Sequence, residues 1–271
     1  MLIFGLLGLP RLGLNGTAYA SIISQAAVVI GLIIYIPRRR PLVSADWRHL
    51  RIDWPTAWLL IRIGFPAMIQ QSVVSVSLIF IVTFVSAFGA NADAAFGAAI
   101  RIDQVAFLPA LVIGMAVSTL SGQNIGAQQY DRVRQTFWWG ILLSGGISFG
   151  ISILALSIPY VFLRAFLNDP EVIAIGMGYL RIVGIAYTLV AVMFVSNGII
   201  NGSGHTVPIT LISIITLWGI RVPLAAVLPN YLHNVKGIWL AMLISVLCGM
   251  LISLTYYSTG RWKKPVIRRK G

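Results

Sequence analysis

Residues 237–259 read GIWLAMLISVLCGMLISLTYYST, a run without a single charged side chain. A helix needs about 20 mostly apolar residues to cross the roughly 30 Å of hydrocarbon in a bilayer, so this run predicts a transmembrane helix. The composition of the whole chain agrees, because 58% of its 271 residues are hydrophobic and only 10% are charged. A soluble domain carries about 25% charged residues, so that class is excluded.

Six similar apolar runs precede this stretch, near residues 14–36, 60–88, 94–120, 136–163, 172–200 and 207–228. Each is long enough to cross a bilayer with some tilt. We therefore predict an all-α polytopic membrane protein with seven transmembrane helices. Membrane lipid is its first expected partner.

The chain is strongly basic, with 20 Lys and Arg against 7 Asp and Glu. This excess is typical of nucleic-acid-binding proteins when the cations cluster on one face, but here they follow the connections between spans. Six lie between residues 38 and 62, six lie between residues 261 and 270, and two more on the same side are Arg132 and Arg134. The opposite side has only Arg11, Arg164 and Lys236. The positive-inside rule therefore predicts the inner (plasma) membrane, a cytoplasmic C-terminus and no nucleic-acid partner.

The sequence gives little support for a metal site, a disulfide framework or a catalytic site. The single cysteine, Cys248, lies inside an apolar run, and the three histidines lie in separate connections. A zinc site needs several such ligands close together. Ser203 and His205 are near neighbours, but a protease also needs an oxyanion site, and their segment is typical of a polar loop. We predict no metal site, no cofactor and no enzymatic activity.

The first and last spans share a pattern of small residues. Gly16, Ala20 and Ser24 match Gly237, Ala241 and Ser245 at a constant offset, and a spacing of four places each triplet on one helix face. Chance is the alternative explanation in a chain with 26 glycines. A genuine repeat would indicate two similar six-helix lobes, as in many transporters.

The repeat leads to a domain plan in which the chain holds one lobe and the last helix of a truncated first lobe. Residues 1–36 would form that last helix, and residues 37–59 would form a cytoplasmic loop between the lobes. Residues 60–260 would form the six-helix C-terminal lobe, and residues 261–271 a basic cytoplasmic tail.

The third span and its exit carry a recognisable string. It reads AFGAAIRID at residues 95–103 and GQNIGA at residues 122–127. This string resembles the multidrug and toxic compound extrusion (MATE) family, and its most specific part is a predicted tight cytoplasmic turn that contains Gly122, Gln123, Asn124, Gly126 and Ala127. The resemblance covers nearly the whole chain and matches helices six to twelve of the family in order. It implies two bundles around a central cavity and the export of organic, often cationic compounds in exchange for Na⁺ or H⁺.

The chain departs from the family pattern where the coupling ion should bind. The NorM-like branch is similar in carrying a carboxylate in helix seven and another in helix ten, but spans 60–88 and 172–200 contain no acid. The DinF-like branch relies on an aspartate in helix one, which has no counterpart here. The coupling cation therefore stays open between Na⁺ and H⁺.

Asp103 is the only acid within a predicted span, and the basic residues within spans are Arg101, Arg181 and Arg221. Ionisable groups at membrane depth are costly unless they are paired or hydrated, so each is a functional candidate. Asp103 and Arg181 lie at similar depth in their spans and could pair across helices. The functional interpretation makes Asp103 a protonation or cation-coupling site, with Arg181 as a further candidate, and the alternative makes the two a purely structural pair. Arg101, two positions from Asp103, points away from it.

Several polar residues within spans could line a substrate cavity. This set contains Gln70, Gln71, Ser75, Arg101, Asn197 and Arg221. Hydrogen bonding between helices and ordinary capping are the alternative roles for the uncharged members. Pro66, Pro109 and Pro223 interrupt helical runs and are candidate hinges, although static kinks are as common.

Together these features favour a MATE-like antiporter that exports amphipathic or cationic compounds. A flippase for lipid-linked oligosaccharides is one alternative, because such proteins need a cationic cavity and Arg181 and Arg221 could contribute to one. The other alternative is an inactive fragment that requires a separately encoded N-terminal lobe as its partner.

Overall fold

The computed structural model describes residues 13–39 and 53–263, and every regular element in these ranges is a helix. The chain divides into two compact units, residues 1–57 and 58–271. In the first unit, α1 (Gly13–Arg39) covers the predicted span 14–36, and its side chains between residues 17 and 35 are exposed. Arg11, most of the predicted inter-lobe loop and the last eight residues of the predicted tail lie outside the described residues.

Three long helices follow, namely α2 (Trp54–Ser86), α3 (Ala90–Gly126) and α4 (Tyr130–Ser157), and the short α5 (Pro159–Arg164) ends this part. Two tight corners separate the long helices. Gly89 has a φ of 96° before α3, and Gln128 has a φ of 59° before α4. Glycine adopts such angles at no steric cost, which suits the first corner.

The predicted turn around Gly122 is wrong in its position. Residues 122–126 form the last turn of α3, and the chain reverses only at Ala127 and Gln128. A Cβ on Gly122 would lie 3.0 Å from the carbonyl oxygen of Gly202, so this glycine allows a close helix contact rather than a turn. The Asn124 side chain donates back to the Leu120 carbonyl within the same helix.

The predicted span 172–200 is broken in the structure. It consists of α6 (Pro170–Val183) and α7 (Ala186–Gly202), which meet at an angle of 46°. At the break, the Gly184 carbonyl accepts a hydrogen bond from the Ser152 hydroxyl of α4 at 2.8 Å. A Cβ on Gly184 would lie only 2.4 Å from the Leu180 carbonyl oxygen, so a larger residue would not fit this corner.

The next span also changes its winding partway. It begins as α8 (Thr206–Ile214), continues as a π-helix over Ile215–Arg221 and ends as α9 (Val222–Leu232). Pro223 lies in the first turn of α9, directly after the wide turns, whereas Pro66 and Pro109 lie inside helices that continue past them. The last span is α10 (Lys236–Ser258), followed by a short 3₁₀ turn over Arg261–Lys263.

The helices of the second unit pack around α3 and α7, which cross closely at glycines. A Cβ on Gly198 would lie 2.5 Å from the Gly114 carbonyl oxygen, and one on Gly202 would lie 2.3 Å from the Ser118 carbonyl oxygen. Small residues allow such close approach between membrane helices. Six described helices are long and apolar enough to cross a membrane, or seven with the bent pair α6–α7 as one span, in agreement with the seven predicted spans.

Candidate functional site

Asp103 lies inside α3 and is only 7% exposed. It follows the start of α3 by thirteen residues, which corresponds to about 20 Å along the helix axis. A carboxylate at such depth must find hydrogen-bond donors or a counter-charge in the protein. The partners of Asp103 therefore define the site.

Two tyrosine hydroxyls provide these hydrogen bonds. Tyr179 donates to Oδ2 of Asp103, and Tyr187 donates to Oδ1 at 2.7 Å. Both tyrosine side chains are fully buried. Each carboxylate oxygen thus accepts one hydrogen bond from a neutral donor.

The break between α6 and α7 positions the two tyrosines. Tyr179 lies four residues before the end of α6, and Tyr187 is the second residue of α7. On a straight helix their Cα atoms would be about 12 Å apart along the axis. The 46° bend lets side chains from both halves reach one carboxylate.

Aromatic neighbours hold both tyrosine rings in place. Tyr179 packs against Phe96 and Trp239 in edge-to-face contacts, with ring centroids 5.8 and 4.8 Å away. Tyr187 packs edge-to-face against Phe107 at 5.4 Å. Such contacts restrict the rings and therefore keep their hydroxyls aimed at the carboxylate.

Arg221 is a positive charge that acts on this cluster. It lies at the end of the π-helix and interacts electrostatically with Asp103 and Tyr179. Its Nε donates to the Ser245 hydroxyl at 2.7 Å. Within residues 53–263 no ion pair joins it to Asp103, so this charge acts from a distance.

The predicted pair of Asp103 and Arg181 does not form. Arg181 is exposed, whereas both oxygens of Asp103 are bonded to tyrosines. The reason is helical phase: Tyr179 faces the core, and a residue two positions later points to the opposite side. Arg101 is exposed too, in agreement with its predicted direction away from Asp103.

The predicted cavity residues scatter over several surroundings. The Gln70 amide donates to the Ser213 hydroxyl at 3.2 Å, whereas Gln71 and Ser75 are exposed. The side-chain oxygen of Asn197 is buried and has no hydrogen-bond partner among the described residues. These residues therefore differ in burial and in hydrogen bonding, and their role as cavity-lining residues stays a prediction.

Helix α2 is held to the α8 span by a ladder of hydrogen bonds. Thr206 and Thr210 donate to the carbonyl oxygens of Ile63 and Pro66, at 3.2 and 2.9 Å. Further along, Gln70 donates to Ser213, as noted above. Because both helices advance together through these pairs, they run parallel, and the ladder passes directly beside the hinge candidate Pro66.

Ser203 and His205 also meet, at the corner between α7 and α8. Their Oγ and Nδ1 atoms are 2.9 Å apart, and the same Ser203 hydroxyl lies 2.7 Å from the Ile200 carbonyl oxygen, to which it donates. Burial lowers the pKa of the His205 ring below its usual range. The serine hydroxyl thus closes the end of α7, as the predicted loop role requires.

Sequence reasoning found Asp103 but missed its tyrosines. A tyrosine is amphipathic and is common at membrane interfaces, so Tyr179 and Tyr187 gave no distinct signal. Their position in the middle of an apolar run, away from either predicted interface, was the available indication.

The family is shown by comparison with known proteins. The sequence profile of the MatE family matches residues 66–227, which is more than half of the chain. The chain therefore belongs to the MatE family and is a multi-pass membrane protein, as the sequence predicts.

Curated relatives span more sequence than this chain. It is 34% identical to the "Probable multidrug resistance protein YoeA" of Bacillus subtilis, covering 99% of this chain and 59% of the relative. It is 27% identical to the "Probable multidrug resistance protein NorM" of Thermotoga maritima, covering 98% of this chain and 57% of the relative. The chain thus spans about three fifths of the length of these relatives.

Solved structures share the fold. A structure described as a MOP superfamily transporter from Pyrococcus furiosus superposes with a TM-score of 0.87 at 17% identity, covering 97% of this chain and 60% of that one. A mutant of the Vibrio cholerae MATE transporter VcmN gives 0.85 at 22% identity, covering 97% and 59%. At these identities the likeness concerns the fold alone.

Proposed function

We propose that this chain is the C-terminal part of a secondary exporter that moves amphipathic, often cationic, organic compounds out of the cell in exchange for a cation. The observation that carries the proposal is the buried Asp103 carboxylate, held by tyrosines from both sides of a helix break. The names of the relatives, which describe multidrug resistance proteins, support the substrate class. Asp103 is the proposed coupling residue.

A proton fits this carboxylate better than Na⁺. A sodium ion needs several oxygen ligands with their lone pairs turned toward it, whereas both described partners of Asp103 direct a hydroxyl hydrogen at the carboxylate. The positive charge of Arg221 further opposes a metal cation near this position. A proton needs only one carboxylate oxygen and one rotated hydroxyl.

Protonation would also change the mechanics of the break. The ionised carboxylate accepts from Tyr179 on α6 and Tyr187 on α7, and so ties both halves of the bent span to α3. A protonated carboxyl donates through one oxygen. The tyrosine hydroxyl that faces this oxygen must therefore rotate to accept the hydrogen bond, or its hydrogen bond to Asp103 is lost. The two protonation states of Asp103 thus favour different positions of α6 relative to α7, which is what alternating access requires.

The two lobes belong to the same proposal. The chain would supply one six-helix lobe, residues 60–260, and a last helix of the other, so the central cavity would need a first lobe as partner. Gln71 and Ser75 support this view, because exposed polar groups within a span would otherwise face lipid. The basic connections support an inner-membrane location with a cytoplasmic C-terminus.

The two rival interpretations have less support. A lipid-linked oligosaccharide flippase would use Arg181 and Arg221 together, but Arg181 is exposed and Arg221 is bonded to Ser245. An inactive fragment is distinguished by assaying the 271-residue chain alone and together with a first lobe. Transport that appears only with the first lobe would mean that this chain needs a partner.

The coupling role of Asp103 is tested by transport in proteoliposomes. The chain is reconstituted into vesicles, together with a first lobe if it needs one. The vesicles are loaded with a fluorescent organic cation, and either a pH gradient or a sodium gradient is imposed across their membrane. We expect the pH gradient alone to drive transport and Asp103→Asn to abolish that dependence, because the amide cannot exchange a proton.

The matched control is Asp93→Asn, which removes a carboxylate from the first turn of the same helix. It should transport like the unmodified chain. Proton-driven transport that survives Asp103→Asn would exclude Asp103 from coupling. Transport driven only by sodium would exclude the proton.

A further inference from the structure

A second polar site lies where α4 begins and α10 ends, remote in sequence from Asp103. One cavity of about 250 Å³ is lined by residues that include Tyr130, Asp131, Arg134, Tyr257, Trp262 and Lys263. A neighbouring cavity of about 440 Å³ is lined by Asp131, Arg134, Gln135, Trp138 and Trp139. Arg134 and Asp131 line both cavities, so one ligand could occupy the two together.

The side of the first cavity is a stacked aromatic wall. Tyr257 stacks on Phe137 with ring centroids 4.0 Å apart, and Trp262 stacks on Tyr257 at 5.5 Å with an angle of 4° between the rings. The Trp262 indole N–H donates to the Tyr257 carbonyl at 2.8 Å, and Trp262 is only 4% exposed. The wall is therefore fixed by packing and by hydrogen bonding.

Lys263 lies over this wall. Gly260, with a φ of 67°, turns the chain after α10, and the Tyr130 hydroxyl donates to the Lys263 carbonyl at 3.1 Å. The Lys263 ammonium then lies 6.0 Å from the centre of the Tyr130 ring and 5.9 Å from that of Trp262. A positive charge is thus placed at the cavity that Arg134 lines.

The depth of these groups matches the layers of a bilayer. Trp138 and Trp139 are 59% and 63% exposed, as expected for an interfacial aromatic belt at the hydrocarbon edge. Arg134 precedes Trp138 by one turn, or about 6 Å along the axis. Because the headgroup layer is about 5–8 Å thick on each side, Arg134 lies at the level of the lipid phosphates.

Charge selects among the phospholipids. Arg134 and Lys263 carry two positive charges and Asp131 one negative charge, so the cavity balances a ligand with one negative charge. Asp131 lies about one turn beyond Arg134, where it can accept hydrogen bonds from the outer end of a headgroup. A zwitterionic ethanolamine lipid would leave one positive charge unbalanced.

We infer that this site binds an anionic phospholipid whose headgroup carries hydroxyl groups, of the phosphatidylglycerol class. Arg134 and Lys263 hold the phosphate, Asp131 accepts from the headgroup hydroxyls, and the acyl chains lie along Trp138 and Trp139. The inference does not depend on transport, and it makes this corner a specific lipid contact rather than a general attraction to the membrane surface.

The test is lipid binding to the delipidated, detergent-purified chain, counted by native mass spectrometry. The probes are dioleoyl phosphatidylglycerol, dioleoyl phosphatidylethanolamine and inorganic phosphate. We expect the glycerol lipid to bind in preference to the other two. Arg134→Gln should lower its affinity by about tenfold or more, because a charge-assisted contact to the phosphate is lost.

The matched control is Arg261→Gln, which removes a positive charge from the same end of α10 but from outside both cavities. General attraction to the anionic surface predicts a loss of at most about fivefold for either arginine. Lys263→Gln provides a second variant with an exposed side chain, expected to follow Arg134→Gln. Equal losses for Arg134→Gln and Arg261→Gln, equal binding of ethanolamine lipid, or displacement of the lipid by phosphate would each overturn the inference.

Discussion

At the scale of single residues, the arrangement of Asp103 depends on two neutral hydroxyls. A hydrogen bond to a charged group contributes about 1.5–3 kcal/mol, so the tyrosines stabilise the ionised carboxylate without a counter-ion in direct contact. The same hydroxyls can accept from a protonated carboxyl. The site can therefore keep its hydrogen bonds in both charge states only if one tyrosine hydroxyl reorients on protonation.

Removal of one hydroxyl should change how transport depends on pH. In Tyr187→Phe the ionised carboxylate loses one of its two donors, so protonation becomes easier and the pH profile of transport shifts toward alkaline pH. Transport is measured at a fixed gradient over a series of pH values. Tyr160→Phe, which alters an exposed tyrosine in α5, is the control.

A pH profile that is identical in Tyr187→Phe and in the unmodified chain would contradict the role of this hydroxyl. A loss of stability without a shift would show that the hydroxyl supports only the packing of α7.

The sequence singled out Asp103 but mistook its hydrogen-bond partner. Asp103 stands out because an acid within an apolar run has few explanations. Arg181 was chosen by depth alone, but the phase of α6 turns it away once Tyr179 faces the core. The depth of a residue in the membrane follows from counting residues along the span. Its direction around the helix axis depends on which helix face is buried, and an almost uniformly apolar sequence does not indicate that face.

At the scale of helices, the break at Gly184 was not predictable from hydropathy. Residues 172–200 read as one apolar run, and the hydrogen bond found at the bend comes from another helix, because the Ser152 hydroxyl of α4 donates to the Gly184 carbonyl. The π-helix at residues 215–221 was not predictable either, because a change from α-helical to π-helical winding leaves the hydropathy of the sequence unchanged. Hydropathy therefore predicted the number of spans but not their internal shape.

The close crossing of α3 and α7 leads to a stability prediction. Gly198→Ala would place a methyl group 2.5 Å from the Gly114 carbonyl oxygen, which forces the two backbones apart. Overpacking of this kind costs about 1–3 kcal/mol. We expect a lower midpoint of thermal unfolding in detergent.

The control for this change is Gly97→Ala in α3. A Cβ at Gly97 meets nothing within 4 Å, so the added methyl group should be tolerated and should slightly favour the helix. Similar unfolding midpoints for the two variants would show that the crossing is not tight.

At the scale of the whole molecule, apolar side chains cover much of the described surface. Leu142, Phe149 and Val161 are each more than half exposed, although a soluble protein would bury them. Serines instead lie inside, and Ser144 and Ser148 are fully buried on α4. This distribution is the one expected when lipid rather than water surrounds the helices.

The orientation of the chain is tested by fusions. A fluorescent protein on the C-terminus should be fluorescent, and alkaline phosphatase at that position should be inactive, because the basic connections predict a cytoplasmic end. Phosphatase inserted after Arg164 should be active, since the charge distribution predicts that this connection lies on the opposite side. Active phosphatase at the C-terminus would reverse the proposed orientation.

The winding of Ile215–Arg221 has a consequence for everything that follows it. Each residue of an α-helix advances the chain by about 100° around the axis, and a π-helical stretch accommodates an inserted residue without that rotation. Deletion of one residue within this stretch should therefore restore regular α-helical winding and leave α9 facing the same neighbours as before.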